Sequence, residues 1–375
     1  MSQQFSRRDW LKSGALLLGG LTTLPASMHA SNNLSQKSFG LNAGLKVKLN
    51  ANENPYGPSD LVKQTIIDNL SGGNRYPREM LDNFRKKLAQ KEGVSEDHIL
   101  IGAGSTELLI LSGLAYGLEK GNILTSELTY DTILGHAKKF NANIVQVPLK
   151  ADFSYDLEGI SKKLSKQTNL VYICNPNNPT GTKIDAEALR AFTREVSKSA
   201  PVFVDEAYNE FLDDPDQESM IDLVREGKQV IVCRTFSKIH GMAGIRTGYM
   251  VAHPKVLAPV LQYHQRVPNI SNLAVAAASA SLDDKSFHQY SKQKNNEVKQ
   301  HLYQYFDSVK QEYIPSYTSF TLFPIEMETE KFQQEMMAKG VGIRVWKHDN
   351  RNWCRVSMGT KEEIDYFIDN LKTVI

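Results

Sequence analysis

Hydrophobic and polar positions change their spacing repeatedly along most of this chain. From about residue 95, short apolar runs rich in β-branched residues alternate with longer stretches that have helical spacing, such as residues 186–197 and 220–226. This alternation predicts βαβ units and an α/β fold with a mostly parallel central sheet. The clearest predicted strands are residues 122–124, 144–148, 170–174, 202–204, 230–234 and 248–251.

The last hundred or so residues have a different pattern. A long polar helical stretch covers residues 283–312, and short strands are predicted near 321–325 and 354–357. A final helix carries apolar residues at spacings of three and four, which form one stripe against a core. These residues are Ile364, Phe367, Ile368, Leu371 and Val374. The pattern predicts a smaller α+β domain over residues 276–375, a large domain over 71–275, and an arm over 31–70 that joins the small domain.

The amino-acid composition excludes several classes of protein. The 375 residues include 44 Lys+Arg and 42 Asp+Glu, a net charge of +2, so no strong single-sign field favours a nucleic-acid partner. With 41% hydrophobic residues, the chain is expected to bury a sizeable core rather than remain disordered. Three widely separated cysteines, Cys174, Cys233 and Cys354, suit neither a disulfide framework nor a zinc site, and no metal is expected.

The first 30 residues depart from this globular composition. Arg7 and Arg8 precede a weakly apolar stretch over residues 13–24, which is typical of an export signal. The stretch is about half of the roughly 20 residues that a bilayer span needs, so no stable membrane anchor is expected. An alternative is a basic tail that leads into an amphipathic helix. The segment resembles a bacterial twin-arginine signal peptide, which implies a periplasmic or exported protein, or a cytoplasmic one if the leader does not function.

Three chemically distinct side chains follow three predicted strands. Asn178, Asp205 and Lys238 lie roughly one βαβ unit apart, so successive strands could present them at one sheet edge. A lysine with a lowered pKa is a nucleophile for carbonyls, and a carboxylate beside a ring nitrogen keeps a pyridinium protonated. Each residue alone has a simpler explanation: a turn, a helix N-cap or a solvated charge. Together they indicate a site for pyridoxal 5′-phosphate.

Four separated motifs carry a resemblance to a known family. Residues 178–181 (NPTG), 205–208 (DEAY) and 237–238 (SK), followed by Arg246, resemble the fold-type I, class I/II aminotransferases. Within that group, residues 49–57 (LNANENPYG) and 75–77 (RYP) are most similar to histidinol-phosphate aminotransferases. The resemblance extends from about residue 45 to the C-terminus. It implies a pyridoxal-phosphate enzyme with a large cofactor-binding domain and a smaller α+β domain.

The resemblance implies a role for each matched residue around the cofactor. Lys238 would bond to the cofactor and move a proton during catalysis. Asp205 would pair with the pyridine nitrogen, while Asn178 and Tyr208 would hydrogen-bond the phenolic oxygen. Tyr130 would stack on the ring. The phosphate group would be held by Ala103, Gly104, Ser105, Ser237 and Arg246, partly through the start of a helix.

The same resemblance implies substrate and subunit contacts. Arg355 would bind a substrate carboxylate with Asn178 beside it, and Arg344 would face the distal end of the substrate. The family usually has an acidic residue soon after that second arginine, whereas this chain continues with residues 346–349 (WKHD). This difference adds bulk and positive charge at the distal end. Tyr76 would reach the phosphate in the neighbouring subunit, which implies a homodimer.

The predicted activity is transfer of an amino group from an L-amino donor to a 2-oxo acid such as 2-oxoglutarate. Histidinol phosphate and aromatic amino acids are the candidate donors, so the substrates are small molecules. A pyridoxal-phosphate decarboxylase of the phosphothreonine type is the alternative, because it shares these motifs. A third hypothesis is a cofactor-holding protein without turnover.

Overall fold

The computed structural model describes residues 44–265 and 269–374, and the predicted leader lies outside them. No helix in this part of the chain is long and apolar enough to cross a membrane. The strands are β1 (Val47–Lys48), β2 (Ile99–Gly102), β3 (Asn122–Ser126), β4 (Asn143–Val147), β5 (Thr168–Cys174), β6 (Val202–Asp205), β7 (Val230–Thr235), β8 (Gly248–Ala252), β9 (Phe320–Ile325), β10 (Val341–Gly342), β11 (Arg344–His348) and β12 (Arg351–Ser357).

Helices separate most of these strands. They are α1 (Asp60–Asn69), α2 (Arg78–Glu92), α3 (Ser105–Gly117), α4 (Thr132–Lys138), α5 (Leu157–Lys163), α6 (Ala186–Val196), α7 (Pro215–Glu218), α8 (Ile221–Arg225), α9 (Pro254–Leu261), α10 (Asn272–Ser281), α11 (Lys285–Ser308), α12 (Thr329–Ala338) and α13 (Lys361–Leu371). Three short 3₁₀ segments cover Leu70–Gly72, Glu96–His98 and Asn209–Phe211.

A seven-stranded sheet forms the centre of the protein. Its strand order is β2-β8-β7-β6-β5-β3-β4, and every neighbouring pair is parallel except those that include β8. Strands β2, β3, β6, β7 and β8 are buried at every residue because the sheet has a hydrophobic cluster on each face. Burial on both faces explains why their sequences are continuous apolar runs. The predicted α/β class with a mostly parallel sheet is confirmed.

Strand β8 runs antiparallel to β7. Residues 236–247 link the two strands without a regular helix, whereas parallel neighbours are usually joined through one. This connection carries Ser237, Lys238 and Arg246. The chain therefore turns back at the edge where the predicted cofactor residues lie.

A smaller antiparallel sheet has the order β11-β12-β9. The long helix α11 and the final helix α13 belong to the same hydrophobic cluster as this sheet. Thr360 and Glu363 form a capping box at the start of α13, and the four predicted stripe residues within that helix are buried. Strand β1 pairs in parallel with β10, which joins the N-terminal arm to the C-terminal elements. The described residues from Gly44 onward form one compact unit, so the boundaries at residues 70 and 275 stay predictions.

Gly248 lies where the central sheet meets the first residue of α3. A Cβ atom at this position would lie 2.3 Å from the Ser105 backbone nitrogen, so Gly248→Ala must displace the start of the helix. We expect the free energy of unfolding to fall by about 1–3 kcal/mol, measured by denaturant titration.

Gly135 in α4 offers the matched control. A Cβ there meets no atom within 4 Å, so Gly135→Ala should stabilise the protein by about 0.5–1 kcal/mol. Equal stability of the Gly248→Ala variant and the unmodified protein would contradict the close approach.

Candidate active site

A cavity of about 280 Å³ opens at the carboxyl ends of β5, β6 and β7. Asn178 follows β5, Asp205 ends β6, and Lys238 follows β7, so the three predicted residues line the same cavity. Ligand sites of open α/β sheets commonly lie beyond the carboxyl ends of the strands. The other lining residues are Ala51, Asn52, Glu53, Ser105, Thr106, Tyr130, Cys174, Ala207, Tyr208, Thr235, Ser237, Ala243, Arg246, Arg344 and Arg355.

The Lys238 amine is held by backbone carbonyl groups rather than by a carboxylate. Its Nζ atom donates to the Asn52 oxygen at 3.1 Å and lies 3.4 Å from the Ala51 oxygen. Burial lowers the pKa of Lys238 to about 8, the Arg355 charge adds to this effect, and Glu53 and Asp205 oppose it. A useful fraction of the amine is therefore neutral near neutral pH, as a nucleophile requires.

Asp205 is a buried carboxylate without a cationic partner among the described residues. It is 2% exposed and accepts hydrogen bonds from the Ala207 backbone nitrogen at 3.2 Å and the Tyr172 hydroxyl at 3.3 Å. Burial raises the pKa of Asp205 to about 6, although these hydrogen bonds and Lys238 oppose the increase. A protonated ring nitrogen would supply the missing donor, so this carboxylate fits a pyridine cofactor.

Asn52 contacts three residues around the site, Tyr208, Lys238 and Ser357. Its backbone adopts the left-handed conformation with φ of 53°, and its amide group donates to the Tyr208 hydroxyl oxygen at 2.8 Å. Its backbone nitrogen donates to the Ser357 hydroxyl at 2.9 Å, and this hydroxyl donates to the Asn52 side-chain oxygen at 2.7 Å. Burial raises the pKa of Tyr208 well above its usual value, so the phenol keeps its proton. With Asn52 as donor to Tyr208, the phenol proton is free to be donated to another group.

Asn52 was not predicted from the sequence as a site residue. It lies within the LNANENPYG motif of residues 49–57, which was used only to recognise the family. The motif was the available signal, but nothing in a linear sequence indicates that residue 52 contacts Tyr208, 156 positions away.

An anion cradle forms the opposite end of the cavity. Gly104 has a φ of +80°, and a Cβ there would lie 2.3 Å from a terminal nitrogen of Arg246. The Arg246 guanidinium donates to the hydroxyl groups of Thr106 and Ser237, each at 3.3 Å. Helix α3 begins at Ser105 with no side-chain cap, which leaves backbone donors at its start. Hydroxyl groups, a guanidinium and a helix start together suit a phosphate.

Two predicted members of this cradle differ in detail from the expectation. The Ala103 backbone nitrogen donates to the Glu107 carboxylate at 2.6 Å, and the Gly104 nitrogen donates to the Gly102 oxygen at 2.8 Å. Both N–H groups are thus engaged within the chain. Thr106, which was not predicted, lines the cavity instead.

The two predicted tyrosines lie in different environments. Tyr130 lines the cavity, and burial raises the pKa of its hydroxyl. Tyr76 is 82% exposed and does not line the cavity of its own chain. Its predicted contact with a neighbouring subunit stays a prediction.

Two arginines from the smaller sheet complete the cavity. Arg355 is 3% exposed and donates to the Asn178 side-chain oxygen at 2.6 Å and the Asn50 backbone oxygen at 3.0 Å. Arg344 is its direct partner in the register of β11 and β12. Burial lowers the pKa of Arg355 to about 10, and the neighbouring Arg344 charge contributes to this. Two positive charges directly opposite each other on neighbouring strands repel, so Arg344 and Arg355 together favour binding of an anionic ligand.

The comparisons with known proteins agree with this arrangement. The family model "Aminotransferase class I and II" matches residues 45–371. A histidinol-phosphate aminotransferase of Caldicellulosiruptor saccharolyticus is 33% identical over 88% of this chain and 92% of its own length. One from Akkermansia muciniphila is 34% identical over 90% of this chain and 93% of its own.

A solved structure shows the same fold. The histidinol-phosphate aminotransferase of Sinorhizobium meliloti, in complex with pyridoxal-5′-phosphate, has a TM-score of 0.80 and 26% identity, covering 93% of this chain and 98% of that chain. The amine, the unpaired carboxylate and the anion cradle fit the same cofactor type. The family, the transaminase class and the cofactor predicted from the motifs are confirmed: the chain belongs to the aminotransferase class I and II family of pyridoxal-phosphate-dependent enzymes.

Proposed function

We propose that this aminotransferase moves an amino group from histidinol phosphate, an aromatic amino acid or a similar L-amino donor to a 2-oxo acid such as 2-oxoglutarate. The observation that carries the proposal is the charge of the cavity. Among the described residues that line it, Lys238, Arg246, Arg344 and Arg355 face two carboxylates, Asp205 and Glu53. The cofactor phosphate accounts for one anionic group at Arg246, so the arginine pair is left for an anionic substrate.

The roles of the residues around the cofactor follow from their positions. Bound pyridoxal phosphate supplies an electron sink for the electrons released when the substrate Cα loses its proton. Lys238 would hold the cofactor and would carry the proton lost by the substrate Cα. Asp205 would keep the ring nitrogen protonated. Tyr208 and Asn178 would donate to the phenolic oxygen, and Tyr130 would cover the ring.

The substrate-binding roles fall to the two arginines. Arg355 presents a guanidinium fork to the α-carboxylate of glutamate or 2-oxoglutarate. Histidinol phosphate has a primary alcohol at that position, so Arg355 serves mainly the half-reaction with the 2-oxo acid. Arg344, on the exposed side of the pair, is placed to bind the distal anionic group.

The donor is tested by a screen with purified holoenzyme. Histidinol phosphate, aromatic amino acids and aspartate are each supplied with 2-oxoglutarate, and glutamate formation is measured together with released carbon dioxide. We expect glutamate formation without carbon dioxide, and Lys238→Ala should lose both the visible cofactor band and turnover. Carbon dioxide release without nitrogen transfer would favour the decarboxylase alternative. Retention of the band and of turnover in Lys238→Ala would contradict the role of that lysine.

The lowered pKa of Lys238 predicts a pH dependence for cofactor uptake. Only the neutral amine attacks an aldehyde, so the rate at which cofactor-free protein takes up pyridoxal phosphate should rise with pH, with a midpoint at about 8. Because the Arg355 charge helps to lower this pKa, Arg355→Leu should move the midpoint to higher pH. Stopped-flow absorbance measures the rate. A midpoint near the ordinary lysine value in the unmodified protein would be incompatible with a buried amine.

We also propose a homodimer in which Tyr76 reaches the partner's cofactor phosphate. Its support is the exposure of Tyr76 and of three apolar residues on the neighbouring helical segment, Leu61, Ile67 and Leu70, which are 48–57% exposed in the single chain. Sedimentation of the purified protein decides between monomer and dimer.

Export through the twin-arginine leader is proposed on the sequence of residues 1–30 alone. A pathway for folded cargo suits an enzyme that acquires its cofactor before transport. A reporter fused after residue 40 should appear in the periplasm, and the double variant Arg7→Lys, Arg8→Lys should keep it inside the cell. Cytoplasmic retention with the native leader would end this proposal.

A further inference from the structure

The Arg355 guanidinium lies between two aromatic rings. Its central carbon is 5.1 Å from the centroid of Phe320 and 5.1 Å from that of Trp346. Trp346 does not line the cavity, whereas the Arg355 that it contacts does.

The register of the small sheet produces this arrangement. Arg355 lies on the central strand β12, opposite Arg344 of β11 on one side and Leu322 of β9 on the other. Trp346 and Phe320 are the diagonal neighbours on these flanking strands. Diagonal neighbours on one face of a sheet remain within reach of long and aromatic side chains. Each flanking strand therefore contributes one ring to the same guanidinium.

The rings replace the counterion that this buried cation lacks. No carboxylate in the described part of the chain forms an ion pair with Arg355, and its neutral partners are the Asn178 amide and the Asn50 carbonyl. Its Nε atom is buried without a hydrogen-bond partner. A cation over a desolvated aromatic face is stabilised by the ring quadrupole. A carboxylate partner would have occupied the guanidinium, whereas two rings stabilise it and leave donors for a ligand.

We propose that Trp346 is a positioning residue that holds Arg355 ready for the substrate α-carboxylate and so favours carboxylate-bearing substrates. The proposal rests on the proposed role of Arg355. The indole carries no charge, so it stabilises Arg355 without forming an ion pair with either arginine.

Three variants distinguish the effect of the aromatic ring on Arg355 from the effect of filling the same space with an apolar side chain. Trp346→Leu removes the aromatic face but keeps an apolar side chain, and Trp346→Phe keeps an aromatic face. His348→Leu is the matched control, because His348 lies on the same face of β11 two residues farther along and makes its ring contact with Phe153, at 6.2 Å.

The first readout is binding of succinate, an unreactive dicarboxylate, to each holoenzyme by calorimetry. We expect the succinate Kd to rise about tenfold in Trp346→Leu, and by no more than about threefold in Trp346→Phe and His348→Leu. Similar losses in Trp346→Leu and Trp346→Phe would overturn the proposal, since packing alone would then explain them.

The second readout compares two amino donors in single half-reactions. In Trp346→Leu the apparent Kd for glutamate should rise with little change in the maximal rate constant, while the apparent Kd for histidinol phosphate, which lacks the carboxylate, should stay the same. An equal rise for both donors would overturn the proposal. Failure of the unmodified enzyme to bind succinate or glutamate would instead refute the role of Arg355, and the inference about Trp346 with it.

Discussion

The site depends on burying an amine, a carboxylate and a guanidinium in one cavity without pairing them as ions. Removal from water shifts each pKa towards the neutral form, to about 8 for Lys238, about 6 for Asp205 and about 10 for Arg355. Neutral partners take the place of counterions: backbone carbonyls at Lys238, a phenol at Asp205 and two rings at Arg355. The three groups therefore stay available for the aldehyde, the ring nitrogen and the carboxylate that the enzyme must bind.

Adjacent carboxylates at the end of β6 show how specific this arrangement is. Glu206 is buried like Asp205, yet it accepts from Arg234 at 3.0 Å and from the Ser219 hydroxyl at 2.8 Å. Arg234 also lies 3.4 Å from the Glu92 carboxylate. Arg234 and these two carboxylates neutralise one another within the core, because a buried charge needs an oppositely charged partner to offset its loss of hydration. Two successive residues therefore differ in role. The charge of Glu206 is neutralised by an arginine of the protein, whereas the carboxylate of Asp205 is available to a ligand.

The residues that hold the site come from distant parts of the sequence. Asn52 in the N-terminal arm contacts Tyr208 beside β6, Lys238 beside β7 and Ser357 in the smaller sheet. Pairing of β1 with β10 places this arm beside the C-terminal elements. The close approach of Gly104 to Arg246 similarly joins the start of α3 to the connection before β8. The cavity therefore forms only when these distant segments of the described chain have folded together.

Sequence patterns are enough to predict the α/β class, most central strands and the gathering of Lys238, Asp205 and Asn178 at one sheet edge. Strands buried on both faces require continuous apolar runs, and parallel connections place their carboxyl ends together. The two-residue strands β1 and β10 could not be predicted, because two residues show no periodicity. From the sequence, Trp346 was expected to add bulk at the distal end of the substrate, whereas strand register places the indole on Arg355. Such contacts are visible only in the folded chain, because the pairing of strands and the direction of side chains depend on residues far apart in the sequence.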